Sequence, residues 1–444
     1  MHKRILLLIQ FFFQTCLYAQ FSNSDIKTAH VYFNEARQLA VQDKTMLWGA
    51  SMYGPMIFIK PGTKDAVANE RDSAGTFEMI NDVYVGKIPS SFSVANTAQN
   101  WGGKIWVVIQ WPLPNDTYER ANIMMHESYH RLQKLKSLPA TDANCVHLDK
   151  FEGRLLLKLE LEALRKIMRA YPSFSLADLQ NAIALRNYRY KKFTEADSLE
   201  RRLELNEGIA EFTGLMLSNR NLAQKKETLI KGIDAFYAKP SFVRSVAYVT
   251  GPIYGFLLNA KNQHWNKDLI TNKLKINDFS FQQLISKFYK TNNENKTDRV
   301  YQLVEKNNLY GYKETYRYEK DREDKRLEVL SENKKKFIEG PVLILPNSNM
   351  NFVFNPNEVQ MIDDYGPVYP TFSSKADWGI LEVKKGGVLI QDWMKVYLPL
   401  SASIDTNNSN FENDGWQLQL KQGWKIKESK RKGDYEVVRN DQPR

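Results

Sequence analysis

Hydrophobic and polar positions change period twice along the chain. From about residue 45 to 111 the pattern is that of strands. Met46 to Lys60 alternates loosely, Pro61-Gly62 punctuates it as a turn, and Ile105 to Trp111 is an apolar, β-branched run that Pro112 and Pro114 stop. From about 116 to 320 apolar residues recur three and four apart, which predicts helices near 117–137, 149–170, 176–191, 196–218, 223–238, 252–262 and 280–290. Lys313 to Lys336 is dense in Glu and Lys at helical spacing and reads as an exposed connecting helix, with the connector between domains set at 321–339. Beyond Gly340 strand chemistry returns, in Val342-Leu343-Ile344-Leu345, Trp378 to Val383, Val388-Leu389-Ile390, Val396 to Leu400 and Trp416 to Ile426. The expected fold class is therefore α+β. A small N-terminal β-sheet (45–111) and a mostly helical block (116–320) share one domain over 20–320, and a C-terminal all-β, sandwich-like module occupies 340–444.

The first nineteen residues stand apart from this pattern. Lys3 and Arg4, the apolar stretch Ile5 to Phe13 and the small residue Ala19 read as a signal peptide over 1–19, with a mature chain starting at Gln20 in the periplasm or outside the cell. Phe13-Gln14-Thr15 before Cys16 makes a poor lipid-attachment signal. That leaves Cys145, which has no partner for an intramolecular disulfide, so packing alone must hold the fold. No uninterrupted apolar window reaches the roughly 20 residues a membrane helix needs, and no transmembrane anchor is expected. Composition is that of a globular protein, 43% hydrophobic and 25% charged. The formal net charge of +11 is spread along the chain, and its densest run, Lys425 to Lys432, reads as a solvated tail. No nucleic-acid partner is expected.

The sharpest chemical signal is His126-Glu127-Ser128-Tyr129-His130, an HExxH on a helix that starts near Asp116, with Glu119 placed for a capping box. Imidazoles four residues apart share one helical face and can reach a single tetrahedral zinc, with Glu127 beside them on that face. Ile123, His126, Glu127 and His130 occupy the stripe a helix normally buries, so these polar groups need partners, and a metal satisfies them most simply. A third protein ligand is then required. Glu207 in Asn206-Glu207-Gly208-Ile209-Ala210-Glu211-Phe212 is the best candidate, because the helix after it is apolar nearly all round. Glu211, one turn on, is placed to accept an imidazole N–H. The alternatives are a solvated acidic stripe through Glu204, Glu207 and Glu211, or a third ligand drawn from His147, Asp149 and Glu160.

HESYH followed by NEGIAEF resembles the gluzincin metallopeptidases, the relatives of thermolysin and aminopeptidase N, over roughly residues 105–260. The resemblance implies a zincin-like catalytic domain with one zinc on His126, His130 and Glu207, Glu127 as general base and Glu211 as the carboxylate beside His126. It further implies that Ile105 to Trp111 is an edge strand pairing with an extended peptide or protein substrate. Tyr248-Val249-Thr250-Gly251 is similar to the Tyr-x-x-Gly segment with which aminopeptidase N relatives place a tyrosine at the transition state. Pro252 would then open the following helix, and Tyr254 is the fallback tyrosine. Two features depart from the family: 76 residues separate His130 from Glu207, and no Gly-x-Met-Glu-Asn stretch is present to read a substrate amine.

The expected function is a secreted zinc metallopeptidase. The rival is a secreted or envelope-associated binding or scaffold protein with a vestigial or structural metal site. It would present Trp378, Trp393, Trp416 and Trp424 to a partner; otherwise they fill the core of the β module.

Overall fold

The computed structural model describes residues 21–440, apart from 74, 90, 263, 272–278, 292–295, 356–358, 393, 402–403, 407 and 414. The expected signal peptide, Cys16 and Trp393 lie outside the described residues. The chain is about 49% helical and 21% strand, with N-terminal strands, a central helical region and a C-terminal all-β region, the α+β arrangement its pattern predicts. Among the described residues no helix is long and apolar enough to cross a membrane. Contacts divide the chain into two compact units. One runs to His147 and takes in Leu156–Ala238 and Phe242–Tyr310; the other holds Leu148–Leu155, Lys239–Ser241 and the chain from Gly311.

The first unit opens with a helix outside the expected set, α1 (Asn23–Asp43), capped reciprocally by Ser22 and Asp25. Its buried stripe is Ile26, Ala29, Phe33, Ala36, Leu39 and Ala40, half of it alanine, which is too faint to register as a hydrophobic period. Phe33 stacks on Phe58 of the adjoining sheet at 4.4 Å between ring centroids. That sheet has six strands: β1 (Met56–Ile59), β2 (Asp65–Ala68), β3 (Glu78–Ile80), β4 (Val83–Lys87), β5 (Thr97–Trp101) and β6 (Lys104–Gln110). Their order is β3-β4-β2-β1-β6-β5, with β1 and β6 parallel.

This order corrects one expectation. The run 105–111 is held on both sides, by β1 and β5, and the edge strand is β5. A strand's own pattern does not say which neighbours it will find. Val107 N–H donates to Pro55 O, so Val107 faces β1 and its partner Ala98 turns both main-chain groups outward. The Lys134 ammonium donates to that outward Ala98 carbonyl.

Among the described residues ten helices follow before Tyr310, and only the start of α3, up to Leu155, falls in the other unit: α2 (Thr117–Leu135), α3 (Phe151–Ala170), α4 (Leu176–Lys192), α5 (Ala196–Leu203), α6 (Ile209–Leu217), α7 (Leu222–Tyr237), α8 (Ala247–Lys261), α9 (Trp265–Ile270), α10 (Phe281–Tyr289) and α11 (Thr297–Lys306). The span expected as one helix over 196–218 is broken by a π-helical turn, Glu204–Gly208, between α5 and α6. Helix α8 begins five residues before Pro252, which therefore sits inside the helix and not in its first turn. Val249 and Thr250 N–H groups both donate to Val246 O, and Ala247 and Val249 to Pro252 are buried. Packing of that apolar run outweighs the single backbone bond the proline forfeits.

The second unit contains α12 (Tyr312–Lys334), which starts nine residues ahead of the expected connector, and a two-sheet sandwich. One sheet has seven strands, in the order Trp424–Glu428, Tyr435–Arg439, Val342–Pro346, Lys395–Pro399, Val388–Gln391, Gly366–Tyr369 and Gln360–Ile362. The other has five, in the order Asn410–Asn413, Trp416–Leu420, Gly379–Val383, Phe372–Ala376 and Asn351–Phe354. The run Trp416 to Ile426 thus divides between sheets. Trp378 and Trp416 are buried in the sandwich core, and Trp424 packs partly buried against it.

Candidate metal centre

Helix α2 carries the first half of the site. Asp116 caps it, its Oδ1 accepting the N–H groups of Tyr118 and Glu119 at 2.9 Å. The expected capping box is not closed, because the Glu119 carboxylate turns away to pair with Arg220. Two turns along, His126 and Glu127 are buried. Helix α6 packs across α2, and α8 packs on α6 and the π-turn. These crossings bring Glu207, Glu211 and Tyr248 to the HExxH face.

His126, His130 and Glu207 form the one group of three potential metal ligands found among the described residues. His126 Nε2 lies 3.2 Å from His130 Nε2, and Glu207 Oε2 lies 3.4 Å from the first and 3.6 Å from the second. Ligands around a tetrahedral zinc, each about 2.0–2.1 Å from the ion, stand about 3.3–3.4 Å apart. The separations fit.

The partners of each ring fix its tautomer. Glu211 Oε2 lies 2.9 Å from His126 Nδ1, and a carboxylate can only accept, so Nδ1 carries the hydrogen. Gln133 spends its Nε2 on Pro139 O, which turns its carbonyl oxygen to His130 Nδ1 at 3.1 Å and assigns that nitrogen a hydrogen too. Both Nε2 atoms then face each other and a carboxylate oxygen, and in neutral rings they present lone pairs there. Such a crowding of acceptors calls for a positive charge at its centre, a metal ion or a proton on an imidazole. The same demand shows in His126. Burial works against its charged form, yet hydrogen bonds to Glu207 and Glu211 outweigh that and push it up to about 10.

Other side chains complete the arrangement. Asn122 Nδ2 holds the second oxygen of Glu211 at 3.0 Å, and Asn206 Nδ2 holds Glu207 Oε1 at 2.9 Å. The Tyr248 hydroxyl donates to Glu207 Oε2 at 2.6 Å, and its ring lies parallel to the His126 imidazole with centroids 5.9 Å apart. Burial, then the Glu207 charge, push the Tyr248 phenol well above its ordinary value. Glu127 Oε2 is buried and makes no hydrogen bond, and burial raises its carboxyl above the ordinary value. All of these line a cleft of about 850 Å³, bounded on one side by Thr97 of β5 and by Ser93, Ala95 and Asn96 before it. Glu119, Glu211 and Tyr248 also line an adjoining hollow of about 680 Å³ between α7 and α8.

The alternative ligands are engaged elsewhere. His147 Nε2 sits 2.7 Å from Glu200 Oε1, Asp149 accepts from the Ser241 hydroxyl at 2.9 Å, and Glu160 accepts from Arg186 Nε at 2.8 Å. Tyr254 donates to Glu160 at 2.7 Å and is fully buried, so it is not the tyrosine of the cleft. Glu204 also leaves the expected acidic stripe and turns into the interior, where Arg186 donates to both of its oxygens at 2.8 and 3.1 Å.

Sequence reasoning missed Asn122, Gln133 and Asn206 as supports. Asn122 stands four residues before His126 and Gln133 three after His130, so helical spacing could have found both. No family model, curated protein or solved structure matches the chain.

Proposed function

We propose that the protein is an exported zinc-dependent peptidase that hydrolyses peptide bonds with Glu127 as general base. The observation that carries this reading is the convergence of two Nε2 atoms and a carboxylate oxygen at tetrahedral ligand spacing, beside a buried carboxylate oxygen left without a hydrogen bond. The motif resemblance to gluzincins agrees with it. His126, His130 and Glu207 hold the ion. Zinc at that point supplies a Lewis acid that acidifies water and polarises a carbonyl. Glu127 Oε2 takes the proton from the attacking water and passes it to the leaving amine, a role its burial favours by making the carboxylate more basic. Tyr248 turns its hydroxyl from Glu207 to the developing oxyanion. The main chain of an extended peptide pairs with the rim of β5, so the pairing first assigned to 105–111 belongs to that strand.

The test is metal content of the purified protein by mass spectrometry, with Glu207→Ala beside the wild type. About one zinc per wild-type chain, lost in the variant, is the expected result. A wild-type chain that takes up no zinc overturns the reading. The rival binding role finds no exposed tryptophan face among the described residues to rest on, since Trp378 and Trp416 are core residues.

A further inference from the structure

A second group of charges lies behind the metal ligands, sealed from solvent. Glu160 on α3, Arg186 and Arg189 on α4, Glu200 on α5 and Glu204 in the π-turn all have side chains no more than 1% exposed. Arg186 joins Glu160 to Glu204, and Arg189 donates to both oxygens of Glu200 at 2.7 Å. The Thr250 hydroxyl of α8 donates to Glu204 Oε1 at 2.6 Å.

Stability alone is a weak account of this cluster. Burying five charged groups carries a desolvation cost that their pairing at best offsets, and apolar residues of similar volume commonly serve as well or better. Its position suggests another role. Glu204 lies three residues before Glu207, and Thr250 lies two after Tyr248. The buried Glu204–Thr250 bond and the cleft-facing Glu207–Tyr248 bond therefore join the same two segments from opposite sides. Between them Gly208 and Gly251 touch: a Cβ built on Gly251 would stand 2.3 Å from Gly208 Cα. The segment so gripped is a π-helical turn, a conformation that persists where its surroundings dictate it.

We infer that Arg186, Glu204 and Thr250 are positioning residues that hold the π-turn in the register that aims Glu207 at His126 and His130. The inference rests on the metal reading above and assigns these residues an effect on zinc affinity separate from any effect on folding. Loss of the Glu204–Thr250 bond lets the turn relax toward α-helical pairing, which rotates Glu207 relative to the two imidazoles.

The test measures zinc dissociation constants by chelator competition for the full-length wild type, Thr250→Val, Thr250→Ser and Glu204→Gln, together with the denaturant unfolding midpoint of each zinc-free protein. Thr250→Val keeps the shape of the side chain and Glu204→Gln keeps its length. The expected result is zinc bound about tenfold or more weakly by both, with Thr250→Ser within about threefold of wild type and apo midpoints that do not follow the affinities. Wild-type affinity in both Thr250→Val and Glu204→Gln overturns the inference and leaves the peptidase reading intact. Affinity that falls only in step with apo stability also overturns it. A wild-type protein that binds no zinc overturns both readings together, and the wild-type titration alone tells that case apart.

Discussion

The side chains grouped at the candidate site are proposed to divide the work, and single substitutions separate their roles. Glu127 is near the ligands but has no bond to them, so Glu127→Gln is expected to leave zinc content at wild-type level and to lower kcat/KM by about 10²–10⁴-fold. Tyr248 bonds a Glu207 oxygen in the structure, and the proposed mechanism has it turn to substrate during reaction. Tyr248→Phe is expected to lower kcat by about 10²-fold, with KM and zinc content close to wild type. Steady-state kinetics on a peptide found by library screening, with metal analysis of the same samples, checks both. Full activity in Glu127→Gln would remove the general base and the mechanism with it. At this scale the sequence was informative because its evidence was local. The buried stripe through His126, Glu127 and His130, and a carboxylate set in the apolar run after Glu207, each lie within one or two helical turns.

Element positions were legible where periodicity was strong and were lost where the deciding contact was remote. Helices α2, α3, α4 and α7 start and end within two residues of expectation. The π-turn was invisible because displacing one residue within an apolar span leaves the hydrophobic pattern almost unchanged. The edge position of β5 was invisible because strand order is set by partners tens of residues away. The buried charges were misread for the same reason: Glu160 and Glu204 meet at Arg186 only after separate helices have packed. Gly251 makes a prediction at this level. Any side chain there drives α8 from the π-turn, so Gly251→Ala is expected to cost about 1–3 kcal/mol of stability by overpacking and to weaken zinc binding. Chemical denaturation and metal titration measure the two effects. An alanine accepted at wild-type stability and affinity would show that the two segments need not touch.

For the whole molecule, the second unit is assembled from three stretches of chain, and the charged helix belongs to its core as well as to its surface. Glu319 of α12 is fully buried and accepts from Arg154 Nε at 2.5 Å, while Glu323 accepts from the same guanidinium at 2.9 Å. A solvated connector would tolerate change at position 319 within about 0.5 kcal/mol. Glu319→Ala is instead expected to cost about 3–5 kcal/mol, because it strips a buried guanidinium of its fully enclosed partner. Equilibrium unfolding in urea decides between these values.

The Lys134 cation parked on the outward carbonyl of Ala98 has a consequence for the molecule among its own kind. An open sheet margin is a template on which a second copy can lay its own margin and begin an aggregate. A long, strongly hydrated side chain covering one of the few main-chain acceptors on β5 makes that accidental zippering costly, yet it can swing aside for a ligand that offers more in return. On the peptidase reading, the margin is thereby guarded against its own kind and still open to a substrate.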